Sequence, residues 1–93
     1  TIIQQAVSLK NRKATVTWNI SGDLTNIDHF LININYLGIK KTIGKVSSFK
    51  NKSNYFFIDN TSDTPGAISY EIVAIDKTFK KMQSVKSNEV ISK

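Results

Sequence analysis

Few side chains here are of a type that could do chemistry, and their spacing limits what that chemistry would be. His29 is the only histidine, and it directly follows Asp28. With Ser21 upstream, they supply the residue types of a nucleophile relay, in which a carboxylate orients an imidazole that deprotonates a hydroxyl. Adjacency argues against it, because neighbours along a strand point to opposite faces. His29 is therefore expected to be a surface histidine at a strand edge. Asp59 and Asp63 invite two further readings. A glycosidase acid pair needs two carboxyl groups facing across a cleft, which a small filled domain rarely offers. Calcium needs about six to eight oxygen ligands, and the spacing follows no calcium-loop pattern. Asp59 is expected to cap the turn that follows it. The expectation is thus no catalytic, metal-binding or cofactor-binding residue.

The aromatic residues could bind rather than react. Trp18, Phe30, Tyr36, Phe57 and Tyr70 fall at positions that alternate into a core. Phe49 and Phe79 do not, since both lie in basic loop stretches, the second followed by Lys80 and Lys81. An aromatic ring beside lysine can stack on a sugar or anchor a protein partner. Phe49, Phe79, Lys80 and Lys81 are the candidate partner-binding residues, but the favoured expectation for the two rings is that they tuck over the end of the sandwich, as loop aromatics often do. Asn19-Ile20-Ser21, Asn51-Lys52-Ser53 and Asn60-Thr61-Ser62 match the N-glycosylation acceptor pattern, as chance would allow in a chain rich in Asn and Ser.

The chain has 93 residues and a formal net charge of +6, which raises the question of nucleic acid. The cations are scattered through the chain, and Arg12 is the only arginine among 13 basic residues. Bidentate recognition of phosphate or guanine relies on arginine, so no specific nucleic-acid partner is expected. No apolar run is long enough to span a bilayer, which takes roughly 18 residues. There is no cysteine, which excludes disulfide staples and thiolate metal sites. The start at Thr1 has neither an initiator methionine nor a signal-like segment, as in a piece of a longer or processed chain. Ninety-three residues suffice for one domain with one core, spanning residues 1–93.

Period-two alternation supplies the elements. Ala14, Val16, Trp18 and Ile20 alternate with polar residues, as do Phe30, Ile32, Ile34 and Tyr36, which marks half-buried antiparallel strands. Further strands are predicted over Ile3–Leu9, Ile39–Val46, Asn54–Asp59, Tyr70–Asp76 and Met82–Ile91. Ser21-Gly22-Asp23 ends the Trp18 strand. Residues 60–66 form a polar crossover containing Pro65, and residues 77–81 a basic hairpin tip. No segment has a helical period with caps. Seven short strands predict an all-β, antiparallel immunoglobulin-like sandwich. In such a fold Tyr70 would be a tyrosine corner, buried, with its hydroxyl bonded to backbone in the Asn60–Gly66 crossover.

Several elements together resemble a fibronectin type III domain of bacterial secreted and surface proteins. They are Trp18, the Phe30-x-Ile32-x-Ile34-x-Tyr36 strand, Phe57-Ile58-Asp59, Pro65-Gly66, Tyr70-x-Ile72-x-Ala74-x-Asp76 and Ser87-Asn88-Glu89-Val90. The interval from Pro65-Gly66 to Tyr70 is slightly long. Thr78-Phe79-Lys80-Lys81 stands where Gly-Asn is common, and no Arg-Gly-Asp sequence is present. The resemblance implies fibronectin type III topology and a non-catalytic accessory, spacer or interaction role, as in modules that follow glycoside hydrolase domains. It also implies an extracellular, cell-surface or periplasmic location. The expected partners are a neighbouring domain of the same chain, or a glycan or protein held through Phe49 and Phe79. The segment itself is expected to be monomeric, with no membrane insertion and no cofactor.

Overall fold

The computed structural model describes residues 2–21 and 26–92, with side chains from Val7 onward. The strands are β1 (Ile2–Lys10), β2 (Lys13–Ile20), β3 (Ile27–Tyr36), β4 (Ile39–Ser47), β5 (Asn54–Asn60), β6 (Gly66–Asp76), β7 (Lys81–Lys86) and β8 (Val90–Ser92). One sheet has the order β1-β2-β5; the other has the order β4-β3-β6-β7, with β8 also pairing to β6. Every pairing is antiparallel, and the two sheets form a β-sandwich.

The alternating apolar residues explain how the sheets meet. Ala14, Val16, Trp18 and Ile20 are buried along β2, and Phe30, Ile32 and Ile34 along β3. Ile68, Tyr70, Ile72 and Ala74 are buried along β6. The Trp18 ring meets Phe30 edge-on, with centroids 5.5 Å apart, and stacks on Tyr55 at 5.9 Å. Tyr36 and Phe57 were predicted in the core but only pack against it, half-buried. Tyr55 fills the central place instead, 3% exposed. It has the same strand parity as Phe57, a signal hidden by the unbroken apolar run from Tyr55 to Ile58.

Two short hairpins follow from turn chemistry. Asn11 and Arg12 have φ of 53° and 62°, and Leu37 and Gly38 have 53° and 77°. Two consecutive positive φ values are what a two-residue hairpin loop needs to match strand twist.

The predicted last strand is two strands here, making eight among the described residues. Ser87 divides it: its Oγ accepts the Tyr70 amide at 2.9 Å, and its own amide bonds the Tyr70 carbonyl at 2.7 Å. The chain then leaves the ladder and returns as β8, where Val90 pairs with Ile68 and Ser92 with Gly66. β6 also begins four residues earlier than predicted. Gly66, at φ 107°, carries the chain from the crossover directly into the strand.

Candidate binding surface

β3, β5 and β7 start at one end of the sandwich, where β2, β4 and β6 finish. The loops over residues 48–53 and 77–80 therefore both lie at this pole, and with them all four predicted partner-binding residues. Phe49 is 60% exposed and Phe79 73%, so, contrary to expectation, neither ring is buried over the end of the sandwich. Lys80 and Lys81 are exposed beside Phe79.

The 77–80 hairpin is built around Asp76. One carboxylate oxygen accepts the amides of Thr78 and Lys80 at 2.8 and 2.9 Å, and the Thr78 hydroxyl at 2.7 Å. The Lys80 amide, with help from the Thr78 hydroxyl, holds the Asp76 carboxyl below its ordinary range. The turn ends on Phe79 at φ 63°. This left-handed conformation favours glycine and strains a residue with a Cβ. The Phe79 amide bonds the Asp76 carbonyl, and the Lys77 amide bonds the Asn26 carbonyl. The tip is thereby tied to the start of β3.

Tyr55 organises the other loop. Its hydroxyl accepts the Phe49 amide at 3.0 Å and lies 2.8 Å from the Lys52 carbonyl. Lys52 Nζ sits 5.1 Å from the same ring. Sequence reasoning did not find this role for Tyr55, and the only trace of it was the strand parity.

His29 departs from its expected setting. It lies on a central strand, flanked by β4 and β6, and is 8% exposed. A β-bulge between Ile27 and His29 puts Asp28 out of register, so the two neighbours do meet: His29 Nδ1 is 2.7 Å from Asp28 Oδ2. The ring lies against Phe79 at a tilt, with centroids 6.3 Å apart. The pair thus supports the hairpin rather than facing an open cleft.

Asp59 and Asp63 are not arranged as an acid pair. Asp59 takes the Tyr70 hydroxyl at 2.7 Å, while Asp63 lines a shallow surface cleft with Tyr36, Leu37 and Lys41. The turn cap predicted for Asp59 is provided by Asn60, whose side-chain oxygen accepts the Ser62 amide at 3.0 Å. The expected partner of Tyr70 also changes. The residue is fully buried, but its hydroxyl bonds a side-chain carboxylate instead of the crossover backbone. Burial, and then the Asp59 bond, push the Tyr70 hydroxyl pKa far above its ordinary value. It is Tyr36 that reaches the crossover, donating to the Pro65 carbonyl at 2.9 Å. Among the described residues no three His, Cys, Asp or Glu side chains cluster as metal ligands. Nor is any helix among them long and apolar enough to cross a membrane.

No family model matches the chain, and no curated protein does. Solved structures resemble it in fold. An LPMO from Kitasatospora papulosa superposes with a TM-score of 0.65 at 13% identity, over 88% of this chain and 48% of that one. A pectate lyase from Pectobacterium carotovorum superposes with a TM-score of 0.57 at 14% identity, over 91% of this chain and 24% of that one. The chain thus spans about half the length of the first neighbour and about a quarter of the second. At these identities the likeness is one of fold.

Proposed function

We propose that this domain is a non-catalytic accessory module of fibronectin type III topology within a larger secreted or cell-surface protein. The observation that carries this reading is the fold's occurrence as a part of longer chains, about half of an LPMO and a quarter of a pectate lyase. The strand orders β1-β2-β5 and β4-β3-β6-β7 agree with the topology that the motif resemblance implies. Attachment to a polysaccharide-degrading enzyme, and an extracellular or periplasmic site of action, belong to the same proposal. The gene sequence flanking residues 1 and 93 tests it: a neighbouring catalytic or surface-anchoring domain is expected. A gene encoding these residues alone would defeat the reading.

A second reading is favoured by Phe79. A ring held in a left-handed turn costs stability, and one left largely in solvent offsets little of that through burial. That cost is intelligible if the ring, with Phe49, Lys80 and Lys81, contacts a glycan or protein. Phe79→Gly separates the two effects, because glycine suits the turn. The variant should unfold with stability unchanged or raised by up to about 1 kcal/mol, while retention on an immobilised polysaccharide or partner domain is lost. Retention equal to that of the parent chain would remove Phe79 from the site.

A further inference from the structure

The strand edges of this sandwich are not protected alike. β4 carries Lys40, Lys41 and Lys45, β7 carries Lys81 and Lys86, and β1 ends on Lys10. Lysines on edge strands oppose pairing with another chain. β5, Asn-Tyr-Phe-Phe-Ile-Asp-Asn, has none. Its single charge, Asp59, is bound by the Tyr70 hydroxyl. β5 also ends its sheet, so alternate residues turn their N–H and C=O groups away from β2 with no neighbouring strand among the described residues.

The outer face of this edge is apolar in the middle and basic at both ends. Phe56 and Ile58 are 59% and 52% exposed, opposite Thr17 and Thr15 on β2. Lys50 and Lys52 precede the strand, and Lys13 pairs with Asn60 at its far end, next to Arg12. None of the β2 and β5 residues on this outer face, Lys13 to Asn19 and Asn54 to Asn60 by alternation, is acidic.

We propose that the free edge of β5 is a docking site for an extended segment of a partner polypeptide. The segment would add as a further strand, with apolar side chains at alternating positions beside Phe56 and Ile58 and carboxylates at both ends. Main-chain hydrogen bonds would hold it and the alternate side chains would select it, as in other cases of strand addition. Charge decides the occupant. A second copy pairing antiparallel through β5 would set the Lys50 and Lys52 end of one chain against the Arg12 and Lys13 end of the other. Two chains of net charge +6 would also repel. A segment ending in carboxylates meets complementary charge at each end. This site runs along β5 and reaches the Phe49 and Phe79 pole only at its Lys50 and Lys52 end.

The probe is a blocked nonapeptide, Glu-Glu-Thr-Val-Thr-Val-Thr-Glu-Glu, titrated into the 15N-labelled 93-residue chain and followed by NMR. Amide shifts should centre on residues 54–60, and alternate β5 amides should exchange more slowly with solvent. Binding should weaken as salt is raised. Ile58→Lys should weaken it by at least about fivefold, and Phe56→Lys should do the same. Both positions are exposed, so unchanged resonances from Trp18 and Tyr70 would certify the fold of each variant. The proposal fails if millimolar peptide causes no shift, if the Glu-to-Lys peptide binds equally well, or if the shifts centre on residues 49 and 79. It also fails if sedimentation of the free chain shows a concentration-dependent dimer abolished by Ile58→Lys, which would assign the edge to a second copy.

Discussion

The bond between Tyr70 and Asp59 links the two sheets through a side chain of each. Tyr70 stands on the central strand β6 and Asp59 on the edge strand β5, and the hydroxyl meets the carboxylate at 2.7 Å. A hydrogen bond to a charged acceptor is worth about 1.5–3 kcal/mol, more than one to a carbonyl. Tyr70→Phe keeps the ring, so it should cost about that much. Tyr70→Ala should cost several kcal/mol more, through the cavity left in a fully buried site. If Tyr70→Phe is made in an Asp59→Asn background, its cost should shrink, because the charged acceptor is already gone. Urea unfolding of the parent and the four variants checks all three expectations. Equal, mild effects of the two Tyr70 substitutions would mean the ring is not the keystone of this corner.

At the level of elements, Gly44 shows how one small residue sets the approach of two strands. It lies opposite Ile32 near the middle of β4, and any Cβ there would collide with the Phe57 ring of β5. The glycine is needed for space, since the positive φ values among the described glycines belong to Gly38 and Gly66. Gly44→Ala should destabilise the domain by about 1–3 kcal/mol through overpacking. Shortening Phe57 to Leu should recover part of that loss in the double variant. A Gly44→Ala protein as stable as the parent in urea would show that the Phe57 ring swings aside freely.

At the scale of the whole molecule, four of the six acidic side chains among the described residues are engaged, and the bases are dispersed. Asp28 faces His29, Asp59 takes Tyr70, and Asp76 holds its own hairpin. Glu71 is buried, which alone would raise its pKa. The bond from Lys40 at 2.8 Å and a contact from Asn33 outweigh burial and hold it below the ordinary range. The lysines spread over the ends and edges, making a basic surface without a focused groove. Binding to duplex DNA should therefore be weak and independent of sequence, and lost near about 0.15 M salt. Sequence-selective, submicromolar binding in a gel-shift assay at that salt would contradict it.

Alternation in the sequence was enough to place most of the β strands and to assign Ala14, Val16, Trp18 and Ile20 to the inside, because a strand's side-chain period is a local property of its backbone. The loop placement of Phe49 and Phe79 was legible for the same reason, since both fall outside any alternating run, but their exposure was not. What lay beyond reach depended on partners distant in sequence. Tyr55 replaces Phe57 at the centre because Trp18 and Phe30 leave a space that only the assembled sheets define. The bulge that joins Asp28 to His29 comes from the register between β3 and β6. Ser87 splits the last strand by bonding Tyr70, 17 residues away. The bareness of the β5 edge depends on which strand ends the sheet. Local alternation says which face of a strand is apolar, and only the pairing order says which edge is left open.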